Sequence, residues 1–131
     1  RHTPPRRNHT LHRPEPADPD RIPAGLRTMT DEAHSHGVKV IGATLTPFQG
    51  HGGCTAAREA VRQRINAEIR SGRVYDAVVD FDKALRDRYN PRRLRSDYDS
   101  GDHLHPGDRG YARMGSAFDL NLLKGSAPAR L

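Results

Sequence analysis

Cysteine is nearly missing from this chain. The single Cys54 cannot form a disulfide within it, and no paired Cys-x-x-Cys spacing for structural zinc exists. Tryptophan is absent, aromatic residues make up 5 % of the 131 positions and apolar residues 34 %, so a core must be built from Ala, Val, Ile and Leu. At this length there is room for one domain with one core. No apolar run approaches the ~18 residues that a membrane-spanning helix needs. A starting Met and an apolar N-terminal segment are missing too, so no signal peptide is visible and a processed chain or a fragment is expected.

What is plentiful is arginine. The net charge is +6, yet acids are interspersed with the basic residues along most of the sequence. That distribution fits a solvated surface better than a nucleic-acid stripe, so no nucleic-acid partner is expected.

Residues 1–20 contain five prolines and almost nothing apolar, which predicts a disordered or loosely attached tail. Its His2, His9 and His12 have no repeated spacing, and the tail reads as solvated rather than metal-binding. From Ile22 the pattern changes. Ile22, Leu26, Met29 and Ala33 recur at helical spacing, with Gly37 as the stop. The β-branched run VKVIGATL (38–45) predicts a strand, and the loop FQGHGG leads on to Cys54. Thr55 is placed to cap a second helix with the stripe Ala57, Val61, Ile65, Ile69, ending at Gly72. VYDAVVDF (74–81) predicts a second strand, and Asp82 a cap for a short helix through Leu85. Residues 91–107 read as loop. A last helix is expected over 108–123, with Asp108 as its cap and Tyr111, Met114 or Gly115, Phe118 and Leu122 as its stripe. Residues 125–131 are left as a C-terminal tail.

Two strands separated by a helix of this length are expected to be parallel, in an α/β layered fold whose site lies beyond the carboxyl ends of the strands. Both strands look central rather than edge-like, and a pair is fewer than a parallel sheet normally holds. The chain therefore reads as the C-terminal part of a larger sheet.

The stretch DSGDHLHPGDRGYARMG (99–115) concentrates the chemistry. Asp102 and His105 stand three apart just before a helix. A carboxylate that holds one ring nitrogen of a histidine fixes its tautomer and leaves the other nitrogen for a nucleophile's proton. In an extended segment His103 would point away as a bystander. Three other readings stand beside this one: a solvated turn, a non-catalytic binding module, and a metal site using Asp102, His103 and His105, with His51 and Cys54 as further donors. Cys54 itself reads as a free or half-buried thiol, since nothing marks it as activated. Asp80 and Asp82 read as strand-end capping residues.

The stretch resembles the last motif block of the SGNH/GDSL hydrolase family, in which D-x-x-H-P leads into the C-terminal helix. GLRTMTDEAHSHGVKVIGATLTPFQG resembles that family's helix and Thr-Pro strand, and REAVRQRINAEIRSGRVYDAVVDFDKALRD its next helix and strand. The resemblance covers about residues 21–124. It implies a flavodoxin-like α/β/α sandwich with its N-terminal strands missing. It also implies hydrolysis of a small-molecule, carbohydrate or lipid acyl ester through an acyl-enzyme, with no metal or cofactor. Carried over by position, Asp102 is the triad acid and His105 the general base. Relatives in this family are often exported. The family's Gly-Asp-Ser and Gly-x-Asn-Asp motifs do not occur in the 131 residues, and Asn8 lacks the flanking glycine and acid. Little or no esterase activity is therefore expected of the chain alone.

Overall fold

The structure, a computed structural model, describes residues 21–118. The tail 1–20, the end of the expected last helix with Leu122, and residues 125–131 lie outside the described residues. The elements run α1 (Arg21–Ser35), β1 (Ile41–Ala43), α2 (Ala56–Arg70), β2 (Ala77–Val79), α3 (Phe81–Leu85), a single 3₁₀ turn at Ser96–Tyr98, and α4 (Asp108–Ala117). Among these residues no helix is long and apolar enough to cross a membrane.

β1 and β2 pair in parallel, with Ile41 opposite Ala77, Gly42 opposite Val78 and Ala43 opposite Val79. A mixed α/β architecture with a small parallel sheet is thus present. Both strands are shorter than the β-branched runs predicted. Ahead of β1 a side chain takes one ladder position: the Val40 N–H goes to Asp76 Oδ2, while the Asp76 N–H still reaches the Val40 carbonyl through the backbone. Gly42 has to be glycine, because a Cβ there would lie 2.1 Å from the Tyr75 ring.

Helix ends follow local chemistry. Thr55 caps α2 by accepting from the Arg58 N–H, and Gly72, at φ 80°, turns the chain after it. Gly37, at φ 73°, does the same after α1. Two expected caps are corrected. Asp80, not Asp82, caps α3 by accepting from the Lys83 N–H, while Asp82 is inside the helix and buried. Gly107 occupies the cap position of α4, with no side-chain cap bond, so Asp108 is the first helical residue. The helix ends at Ala117, where Phe118 adopts extended geometry.

The predicted apolar stripes are rotated. Met29 is 67 % exposed and Tyr111 55 %, while Ala57 is also exposed. On α2 the buried face holds Ile65 and Ile69, but also Glu59, Arg62 and Asn66. Those three side chains are satisfied. The Arg62 guanidinium donates to both Glu59 oxygens (2.9 and 2.6 Å), to Asp82 Oδ1 (2.8 Å) and to the Leu45 carbonyl (3.2 Å). Asn66 accepts from the Leu45 N–H and donates to its carbonyl. Among the described residues the buried side chains of Ile65, Ile69, Val74, Val79, Leu85 and Leu94 stand beside buried polar ones that include Glu59, Arg62, Asn66 and Asp82, so α2 is fastened by charge and hydrogen bonds as well as by apolar burial.

Candidate functional site

The carboxyl ends of the strands are tied together. The Thr44 hydroxyl donates to Asp80 Oδ1 (2.8 Å) and accepts from the Asp82 N–H (2.9 Å). Arg70 grips Asp80 through two bonds and Asp82 through a third. Burial pushes the Asp80 carboxyl up, but Arg70, the Lys83 N–H and Thr44 outweigh it and hold the group well below the usual carboxylate range. From this anchored end the loop after β1 runs out through Gly50.

There it meets the loop of residues 99–106. That loop is closed at its base by an antiparallel bridge between Asp99 and Pro106, with the Ser100 N–H on the His105 carbonyl and the Gly107 N–H on the Tyr98 carbonyl. α4 docks on the same base, and Gly110 makes this possible: a Cβ would stand 2.5 Å from the Tyr98 carbonyl oxygen.

Within the loop, Asp102 and His105 come together. His105 Nδ1 lies 2.6 Å from Asp102 Oδ2. The other carboxylate oxygen, Oδ1, accepts from the backbone N–H groups of His105 and Leu104 and from the Ser100 hydroxyl. The His105 ring, followed by these N–H groups, lowers the Asp102 carboxyl far below its ordinary value, so it is ionised at neutral pH. An ionised Asp102 accepts the Nδ1–H of His105, which leaves the Nε2 lone pair free to take a proton. Nε2 has no partner among the described residues, and the His105 side chain is 65 % exposed. The pair is thus oriented from behind and open in front.

His103 differs from its expected part as a bystander. It does turn from Asp102, but its Nδ1 lies 2.6 Å from Asp99 Oδ2, and its N–H goes to Asp99 Oδ1. Burial raises the Asp99 carboxyl, yet the Gly101 N–H and the His103 contacts outweigh that and leave it lowered. The segment is not extended: Gly101 is at φ 114° and His103 at φ 63°, both left-handed, and this turn brings His103 back onto Asp99. The other side of the His103 ring faces Gly50, whose notional Cβ would lie 3.0 Å from Cγ. Asp99–His103 therefore clamps the 99–106 loop to the loop after β1. Sequence reasoning missed Asp99 and Gly50; the available signal was the Ser-Gly pair after Asp99, which permits the tight turn.

Asp102, His103 and His105, weighed above as a ligand set, are divided between two pairs. Among the described residues no group of three or more His, Cys, Asp and Glu side chains is placed to hold a metal ion. Cys54 lines a recess of about 200 Å³ with Gln49, Gly50, Glu59 and Arg92. Burial, and then the Glu59 carboxylate, push its thiol up, against a smaller opposing pull from Arg62, so it is not an activated nucleophile.

A family model described as GDSL-like Lipase/Acylhydrolase family matches residues 8–113. The match covers most of the chain; it begins inside the segment set apart above as a tail and stops within α4. No curated protein matches the chain.

Proposed function

Because this chain belongs to the GDSL-like lipase/acylhydrolase family, we propose that it carries the acid–base half of a serine-type acyl-ester hydrolase. Asp102 is the orienting acid and His105 the general base. The observation that carries the reading is the 2.6 Å contact of His105 Nδ1 with a multiply bonded Asp102, together with the open Nε2. In this arrangement Nε2 removes the proton of a serine hydroxyl as its oxygen attacks the acyl carbonyl. The same proton then passes to the leaving alcohol, and a water molecule repeats the sequence to release the acid. Asp102 stabilises the imidazolium formed in each half-reaction.

The serine is not assigned within these residues. Ser100 donates to Asp102 itself, on the acid's side of the pair, and no Gly-Asp-Ser segment occurs in the sequence. A Gly-Asp-Ser segment and its oxyanion donors are proposed to join β1 from outside these residues, completing a flavodoxin-like α/β/α sandwich. The parallel pairing of β1 with β2, and the meeting of two loops past the strand ends, support that architecture.

The test is complementation. The 131-residue chain is assayed with a short-chain nitrophenyl ester, alone and mixed with the N-terminal part of a family member that carries Gly-Asp-Ser. The chain alone is expected to be silent and the mixture to turn over, with His105→Ala losing about 10³-fold or more and Asp102→Asn a comparable amount. Turnover in the mixture that survives His105→Ala would refute the assignment.

A further inference from the structure

Several arginines of this fold are matched to carboxylates. Arg27 pairs with Glu68, Arg62 with Glu59 and Asp82, Arg70 with Asp80 and Asp82, and Arg73 with Glu68. Several cations without such a partner gather in one place. An open groove of about 940 Å³ runs between α3, the Ser96–Tyr98 turn and α4, and among the described residues its lining holds five cationic side chains but a single carboxylate.

That carboxylate, Asp87, is already engaged by the Tyr89 and Asn90 N–H groups. Of the cations, Arg86 is held by Asp82 and Arg95 by Asp97. Lys83, Arg88 and Arg113 have no carboxylate partner among the described residues; Arg113 donates only to the Ser116 hydroxyl. Two guanidinium groups are steadied by aromatic faces, Arg88 at 5.8 Å from the Tyr89 ring centroid and Arg95 at 5.0 Å from that of Tyr98. A concave wall with an excess of positive charge concentrates the potential at its centre. Guanidinium forks held flat match planar carboxylates and phosphate faces.

We propose that this groove is a binding site for a small multivalent oxyanion, bearing carboxylate or phosphate groups that bridge Lys83, Arg88 and Arg113. Its volume falls within the range of about 300–1,000 Å³ usual for small-molecule sites, which favours a compact ligand over a polymer. The site does not depend on the hydrolase reading, since none of its residues belongs to the Asp102–His105 pair.

Calorimetric titration of the full chain at low salt tests it, with inorganic pyrophosphate and citrate as the two probes and a single-stranded oligonucleotide as the polymer. The expected result is one-to-one binding of pyrophosphate or citrate with Kd below about 1 mM; the tighter of the two identifies the oxyanion. Combining Lys83→Gln, Arg88→Gln and Arg113→Gln should weaken it at least about tenfold. A control that removes the same charge elsewhere (Arg21→Gln, Arg73→Gln, Arg92→Gln) should change it less than about twofold. If the triple variant loses its far-UV circular dichroism, exposed Arg88→Gln alone must still weaken binding about threefold. Equal weakening by the control, no saturable binding of either probe, or tighter one-to-one binding of the oligonucleotide would each overturn the proposal.

Discussion

Arg62 offers the sharpest test of how this fold is held together. Its side chain is 3 % exposed, and the guanidinium makes four bonds, two to Glu59, one to Asp82 and one to the Leu45 carbonyl. Arg62→Met keeps much of the volume and removes all four. The consequences for the two acids differ. Asp82 retains Arg70 at 2.7 Å and Arg86 at 3.6 Å, so its charge stays compensated. Glu59 retains the Gln63 amide at 2.9 Å as its side-chain hydrogen-bond donor and only the more distant charge of Arg92, so a buried carboxylate is left poorly compensated. Breaking a buried pair from one side costs about 3–5 kcal/mol, a large share of the ~5–15 kcal/mol that holds a domain of this size. Urea unfolding followed by far-UV circular dichroism should therefore show a marked fall in midpoint at unchanged slope. Adding Glu59→Gln to Arg62→Met should recover about 1–3 kcal/mol, the coupling typical of neighbours in one charge network. Arg62→Met within about 1 kcal/mol of the parent, or no recovery in the double variant, would refute the reasoning.

Further outcomes follow from the same geometry. Asn66→Leu should cost about 1–3 kcal/mol by leaving the Leu45 N–H without its acceptor, while the Leu45 carbonyl keeps Arg62; faster amide exchange at Leu45 is the direct readout. Gly50→Ala meets both a left-handed φ of 98° and the His103 ring, so it should destabilise by about 1–2 kcal/mol and shift the His103 imidazole resonances; unchanged resonances would remove the clamp. The carboxyls of Asp80, Asp99 and Asp102 are all lowered in the folded chain. Their contribution is therefore fully present above the unfolded value of about 3.9 and is lost only as pH falls through the lower folded values. The side-chain carboxyl-carbon resonances of these three residues should show no protonation down to about pH 4.5, and protonation of any of them setting in near pH 6 would contradict these assignments.

The elements were legible wherever a local signal decided them. Thr55 and Gly72 bound α2 because capping and left-handed geometry are properties of a few consecutive residues. The parallel pairing of β1 and β2 followed from the helix between them. Faces were less legible. Val61 and Ala57 share a stripe with Ile65 and Ile69, yet the side buried was decided by Asp82 and Leu45, which lie far along the chain and offer Arg62 and Asn66 their partners. The start of β1 is shortened for a similar reason, since Asp76 captures the Val40 N–H that a ladder would have used. At the candidate site, D-x-x-H placed Asp102 beside His105 because both lie in one turn. Asp99–His103 stayed hidden because residues four apart do not touch in an extended segment, and only the left-handed Gly101 and His103 fold the chain back far enough to join them.

The contact between Asp102 and His105 spans three positions of the chain. Joining residues so close in sequence closes a very short loop, and the entropic penalty of ring closure grows with the number of residues enclosed. A nucleophile and base drawn from distant segments must meet that penalty through the folding of everything between them. Here the acid and its histidine meet it within a single turn sealed by the Asp99–Pro106 bridge. The pair is in this sense a portable cassette. Its internal geometry is written locally, and the rest of the fold decides only where the open face of the imidazole is aimed.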